Sequence, residues 1–235
     1  MKIIAVIPAR GGSKGLPGKN IKKLLGRPLI DYPIKAALGC KLINKVIVST
    51  DDKKIAEIAR KQGAEVPFMR PAKLATDKAS SINVLLHAIN FFEKKGETYD
   101  LIVMLEGTSP MTTSKDIEKA IIMLNNNKKA ESIVGFVKAE QYNPMLAFVK
   151  KKGFIVPYKG KQIAHIRRQD LTDTFFPEGT LYISKVSSMK KRKTFYHDKT
   201  IPYEVERYNS FEIDEEMDFI IIEAIMKWLK KRKKK

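Results

Sequence analysis

Residues 3 to 20 read Ile3-Ile4-Ala5-Val6-Ile7-Pro8-Ala9-Arg10-Gly11-Gly12-Ser13-Lys14-Gly15-Leu16-Pro17-Gly18-Lys19-Asn20. The apolar run has the composition of a buried strand, and it passes directly into a glycine-rich loop. Gly11, Gly12, Gly15 and Gly18 allow positive φ and close backbone approach, so several N–H groups can converge on phosphate oxygens while Arg10, Lys14 and Lys19 neutralise their charge. Walker A is excluded, because Gly18-Lys19 is followed by Asn20 and Ser13 stands where that motif needs its first glycine. The dinucleotide pattern G-x-G-x-x-G is absent as well. An ordinary strand-to-helix turn with surface lysines is the plain alternative. The density of glycines and cations directly after the first strand, where open α/β sheets place their ligands, favours a polyphosphate cradle.

The chain has 235 residues, 43% of them apolar, which suits one α/β domain of residues 1–235. A single cysteine, Cys40, excludes an internal disulfide framework and a cysteine metal cluster, and fits a reducing, cytoplasmic setting. No apolar run approaches the length of a membrane span, so no membrane partner is expected. The net charge of +19 admits nucleic acid, an anionic surface or small anionic substrates. Its densest part, Lys227 to Lys235, holds seven Lys/Arg in nine residues at the end of the last helical pattern. Cations there complement a helix C-terminus and such runs are usually solvated, and no nucleic-acid-binding signature accompanies them.

Apolar runs at Ile3–Pro8, Lys45–Ser49, Glu65–Met69, Leu101–Leu105 and Ser132–Val137 read as strands. Between them Leu29–Leu38, Lys53–Gln62, Ile82–Lys94 and Lys115–Asn125 show helical spacing, with caps offered by Thr50-Asp51-Asp52 and Thr113-Ser114. This alternation predicts a three-layer, mostly parallel, doubly wound sheet. From Gln141 to Pro177 short polar segments suggest hairpins or an excursion from the sheet. Gly179–Ser184 reads as a returning strand and Glu215–Lys230 as a long final helix.

Functional loops are expected at the strand ends: the basic loop, Thr50-Asp51-Asp52, Arg70 with the segment to Ser81, Glu106-Gly107-Thr108-Ser109-Pro110, and Glu212-Ile213-Asp214. A polyphosphate site calls for a divalent ion held by one or two carboxylates and the phosphates themselves. Glu212 and Asp214 alternate on an extended segment and can face one site, although from position alone they read first as caps of the last helix, with Asp214 as N-cap. Asp51 and Asp52 read more strongly as caps. His87, His165 and His197 show no ligand spacing and no nucleophile partner. Arg167-Arg168-Gln169 could grip a carboxylate or simply lie at the surface.

The first motif, together with Arg70-Pro71, Ser80-Ser81, Thr108-Ser109-Pro110, Arg168-Gln169, Gly179 with Leu181-Tyr182-Ile183, and Glu212-Ile213-Asp214, resembles the acylneuraminate cytidylyltransferases, in order and over nearly the whole chain. The resemblance implies the nucleotide-diphosphosugar transferase fold, use of CTP with Mg²⁺ (or Mn²⁺), and a homodimer in which residues 141–177 reach the partner's sugar site. It implies a nucleotide site of Arg10, Gly11, Gly12, Ser13, Lys14 and Lys19, whose cations hold the triphosphate, with Asn20, Arg70, Ser80 and Ser81 around the cytidine. Catalysis would rest on Arg10, Lys14, Lys19 and Asp214. Asp214 would be the principal metal ligand, with Glu212 beside it. Glu106, Thr108, Ser109, Arg168, Gln169 and Glu178 would face an anionic nine-carbon nonulosonic acid.

Three motifs depart from the family pattern. Glu212 replaces the first aspartate of Asp-Ile-Asp, Glu106-Gly107 replaces Gln-Pro, and Glu178-Gly179-Thr180 replaces Asn-Gly-Ala. Two of these changes sit near the sugar pocket, so the expected substrate is a sialic, legionaminic or pseudaminic type of acid, and a carboxylate at Glu106 could accept hydrogen bonds from the amide or hydroxyl pattern of the latter two. The enzymes for eight-carbon 3-deoxy-manno-octulosonate typically carry Thr-Arg-Leu-Pro-Gly-Lys-Pro in this loop, so Asn20 favours the nine-carbon branch. A basic nucleic-acid-binding protein, whose binding would fall steeply with salt, is the reading from another class.

Overall fold

The computed structural model describes residues 1–13, 15–139, 143–158 and 167–232, without the side chain of Arg168. Strand β1 (Ile3–Pro8) is central because it has apolar side chains on both faces: Ile3 to Ile7 are at most 1% exposed. It pairs in parallel with β4 (Lys45–Ser49) on one side and β5 (Leu101–Met104) on the other. A short hairpin, β2 (Lys23–Leu24) and β3 (Arg27–Pro28), separates the glycine loop from α1 (Asp31–Gly39). Helices α2 (Lys53–Lys61), α3 (Ser81–Glu93) and α4 (Ser114–Asn126) follow, with β6 (Ser132–Lys138) after α4. The chain continues through β7 (Phe148–Lys151), β8 (Phe154–Pro157), β9 (Phe175–Lys185), α5 (Val186–Arg192), β10 (Thr200–Glu204) and α6 (Glu216–Arg232).

The main sheet runs β10-β6-β9-β5-β1-β4, with β9 antiparallel to both neighbours and the other pairings parallel. Alternation along β1 divides the core. Ile3, Ala5 and Ile7 pack with Ile34 of α1, Ile55 of α2 and Ile117 and Ile121 of α4. Ile4 and Val6 pack with Leu85, Ile89 and Phe92 of α3 and Val186 and Met189 of α5. The result is the expected three-layer, mostly parallel architecture. Burying Ile4, Ile7 and Ile102 completely contributes about 2 kcal/mol of transfer free energy per side chain. A third cluster forms where Phe219 and Ile222 of α6 meet Leu24, Leu29, Met111 and Ile213.

The structure corrects the sequence reading in three places. Glu65–Met69 is no regular strand; it makes only the isolated bridges Ile47 to Glu65 and Thr50 to Met69, because Pro67 has no N–H to continue a ladder. Thr200–Glu204, to which the sequence reading assigns no element, forms β10, and Pro202 is tolerated in it because β10 is an edge strand. The returning strand is longer than Gly179–Ser184, reaching from Phe175 to Lys185 across β5 and β6. Within the excursion β7 and β8 do form a hairpin, turned by Lys152 and Gly153, both at positive φ.

Candidate active site

β1 connects through α1 to β4 on one side, while the chain returns through α3 to β5 on the other. Their carboxyl ends therefore open a crevice, the place where α/β sheets bind ligands. A cavity of about 410 Å³ lies there, lined by Arg10, Ser13, Lys19, Asn20, Arg70 and Glu106, with Asp77, Ser81, Thr108 and Asp214 among its further walls.

The glycine loop is held on several sides. Asn20 is buried, and its Nδ2 donates to the Arg10 carbonyl at 3.0 Å, closing the loop on itself. The Gly11 N–H donates to Asp51 Oδ1 at 3.1 Å. Gly15 passes so close to the acidic segment that a Cβ would sit 2.6 Å from the Asp214 carbonyl oxygen. Gly12 is exposed and Ser13 half-buried. Lys14 lies outside the described residues.

The cations of this cavity already have anionic partners. Arg10 Nη1 lies 2.7 Å from Asp77 Oδ1, and Lys19 Nζ donates to Asp214 Oδ1 at 3.1 Å and to the Ile213 carbonyl at 3.0 Å. Both pairs are partly exposed, so each contributes about 0–1 kcal/mol, little enough for a triphosphate to displace. Arg70 differs. It is buried, it donates to the Ser49 carbonyl and to Ser49 Oγ, and burial lowers its pKa to about 10 against the pull of Asp51.

The carboxyl wall is less exposed. Glu106 is pushed up to about 7 by burial and by Glu212, against the stabilising effects of Thr108 and Lys19. Glu212 is raised by burial and turns its carboxyl back to accept from the Gly179 N–H. Glu178 is buried between β9 and β6, accepts from the Thr180 N–H at 3.0 Å, and is pushed up to about 7 mainly by burial. It turns toward Gly135 of β6, where a Cβ would collide with its Oε1, and it is not part of the cavity lining. Burial and the nearby Glu106 raise Tyr182.

Asp214 does not cap α6. The N–H groups of Asp214 and Glu215 both donate to Asp218 Oδ2 at 2.9 Å, which leaves the Asp214 carboxylate, 79% exposed, at the cavity mouth. Asp52 does cap α2, accepting from the Lys54 and Ile55 N–H groups, whereas Asp51 holds the glycine loop. Among the described residues no three His, Cys, Asp or Glu side chains are grouped to hold an ion unaided. One outward carboxylate beside a basic, glycine-rich loop nevertheless fits Mg²⁺, which is commonly held by one or two carboxylates and the substrate phosphates. Glu212, committed to Gly179, fits that role less well.

The remaining expected residues are spread differently. Ser80 caps α3 by accepting from the Asn83 N–H at 3.3 Å, while Ser81 lines the cavity. Thr108 is buried, and its carbonyl accepts from the Ile213 N–H at 2.9 Å, tying the loop after β5 to the acidic segment. Ser109 is buried as well. Gln169 borders a separate depression with Asn143 and Thr174, and the Arg168 side chain is outside the description. Sequence reasoning missed Asp77 as the partner of Arg10 and Asp218 as the anchor of Asp214. The signal for the second was an acid three residues after Glu215 at a helix start, as in a capping box.

The cytidylyltransferase family model matches residues 4–227. The N-acylneuraminate cytidylyltransferase of Streptococcus agalactiae serotype III (strain NEM316) is 33% identical over 222 residues, covering 94% of this chain and 52% of the relative. This chain thus spans about half the length of that protein. The CMP-N,N'-diacetyllegionaminic acid synthase of Legionella pneumophila is 31% identical over 227 residues, covering 96% of this chain and 97% of the relative. In fold, the chain is similar to a CMP:2-keto-3-deoxy-manno-octonic acid synthetase complexed with CTP, with a TM-score of 0.70, 18% identity and coverage of 97% and 99% of the two chains.

Proposed function

This chain belongs to the cytidylyltransferase family, and on that premise we propose that it transfers CMP from CTP to the 2-hydroxyl of a nine-carbon 2-keto-3-deoxy sugar acid of the sialic, legionaminic or pseudaminic type. The observation that carries this reading is the meeting of Arg10, Lys19 and Asp214 around one cavity at the carboxyl edge of the sheet.

In this reading the triphosphate takes the places that Asp77 and Asp214 hold at Arg10 and Lys19. Lys14, from its position in the loop, adds a third cation. Arg70, Asn20 and Ser81 border the nucleoside, with Ser80 supporting Ser81 through the helix cap. Asp214 would hold Mg²⁺ (or Mn²⁺) together with the phosphates, and the ion would supply charge neutralisation on the phosphoryl oxygens. The sugar hydroxyl oxygen attacks the α-phosphorus in line, the α–β bridging P–O bond breaks, pyrophosphate leaves and the hydroxyl proton passes to solvent. Arg10 and Lys19 stabilise the charge that develops on the leaving group. Glu106, Thr108 and Ser109 border the sugar side.

We read the protein as a cytoplasmic homodimer. The β7–β8 hairpin leaves Phe154 74% and Ile155 71% exposed, an apolar surface suited to a second copy, and Gln169 lies away from its own cavity. Among the described residues no helix is long and apolar enough to cross a membrane.

The test is pyrophosphate release with CTP, Mg²⁺ and a panel of 2-keto-3-deoxy sugar acids. Release with a nine-carbon acid and not with ATP is expected. Equal release with ATP, or none with any sugar, sinks the proposal, and preference for the eight-carbon acid moves the enzyme to the other branch.

A further inference from the structure

Helix α6 is apolar on two opposite sides, and the fold uses only one. Phe219, Ile222, Met226 and Leu229 pack against Leu24, Leu29, Met111 and Ile213. Met217, Ile220, Ala224 and Trp228, spaced by three, four and four residues, share the opposite side. Met217 is 59%, Ile220 61% and Trp228 48% exposed, where a surface helix normally carries polar groups. The row ends among Lys227, Lys230, Lys231 and Arg232, with the Arg232 guanidinium stacked 4.8 Å over the Trp228 ring.

The acidic groups of the helix are engaged within the protein. Glu216 accepts from Lys22 at 2.8 Å, Asp218 accepts the Asp214 and Glu215 N–H groups, and Glu223 pairs with Lys227 at 2.6 Å. What the outer side offers is therefore an apolar row with a cationic end and an indole between them. We propose that this side of α6 docks the protein on an anionic lipid bilayer, with Met217, Ile220 and Trp228 entering the headgroup boundary and the cations facing lipid phosphates. Nucleic acid would use the cations and leave the apolar row in water. A second copy of α6 would match the row and set two cationic ends against acids already engaged. The helix would lie in the interface plane without spanning the bilayer, which departs from the sequence expectation of no membrane partner because that expectation rested on the lack of a spanning run. This inference does not rest on the catalytic reading.

The full chain is sedimented with vesicles of phosphatidylcholine alone or mixed in about equal parts with phosphatidylglycerol. Binding to the mixed vesicles only, weakening as salt rises, is expected. Ile220→Ser with Trp228→Ser should reduce that binding about tenfold or more, since apolar burial is lost while the net charge of +19 is kept. Lys230→Gln and Lys231→Gln should each reduce it about fivefold. These side chains are exposed, so the urea unfolding midpoint should stay unchanged and report folding. The proposal is overturned by wild-type protein that stays in the supernatant, by a double-serine variant that binds as well as wild type, by an oligonucleotide whose binding the serine changes abolish, or by light scattering in which those changes dissociate an oligomer.

Discussion

Lys19 Nζ stands 3.1 Å from Asp214 Oδ1, bringing together a loop cation and a carboxylate from opposite ends of the chain. The contact depends on Ile213, which is fully buried against Leu24, Leu29 and Met111 and fixes where Asp214 emerges. On the proposed reading this pair marks the junction of triphosphate and metal.

Asp214→Asn should therefore lower turnover about a thousandfold, the scale of losing several kcal/mol of metal-assisted charge stabilisation. The side chain is 79% exposed, so unfolding free energy should change by about 0.5 kcal/mol or less. Steady-state kinetics over a Mg²⁺ titration, beside a urea melt, check this. Near-normal turnover removes Asp214 from the metal site.

Asp77 holds Arg10 at 2.7 Å across the cavity and, on the proposed reading, would compete with an incoming phosphate. Asp77→Asn should tighten CTP binding about two- to fivefold, in keeping with the small worth of a partly exposed ion pair. Isothermal calorimetry without sugar reads the change. Weaker binding would mean that Asp77 orders the site more than it competes.

Gly15→Ala should separate the loop from the acidic segment, because the new Cβ would lie 2.6 Å from the Asp214 carbonyl oxygen. A displacement of this kind can reduce catalysis about a hundredfold. Gly12→Ala is the comparison within the same loop, since a Cβ there meets no protein atom within 4 Å, and a smaller loss than that of Gly15→Ala is expected. Equal kcat/KM for the two variants would contradict the close approach.

Glu178 links stability to pH. Its carboxyl is pushed up to about 7 in the fold from the ordinary 4.5, so between these values the folded protein holds a proton that the unfolded chain has released. Stability thus falls as pH rises through that window and levels off above it. Glu178→Gln, which imitates the protonated acid, should flatten this part of the profile and stabilise the protein above the window, by on the order of 1 kcal/mol. Thermal melts on both sides of the window decide; an unchanged slope assigns the pH dependence elsewhere.

The sequence by itself determined the central strand, the glycine-rich loop that follows it and the βα alternation, because these are written in short-range patterns: apolar runs, helical spacing, caps and turn glycines. Ile3–Pro8 has the bounds that its composition announces, and Asp52 caps its helix as its position suggests. Tertiary structure decided what local pattern leaves open. Pro67 reduced an apparent strand to two bridges, while Pro202 was accommodated because its strand lies at the edge. The roles of Asp214, Asp77 and Asp51 depended on which surfaces packing brought within about 3 Å, a scale set by burial and hydrogen bonding. Helix α6 shows the same division: periodicity reveals two apolar sides, and only the position of Leu24, Leu29 and Ile213 settles which is buried and which meets solvent.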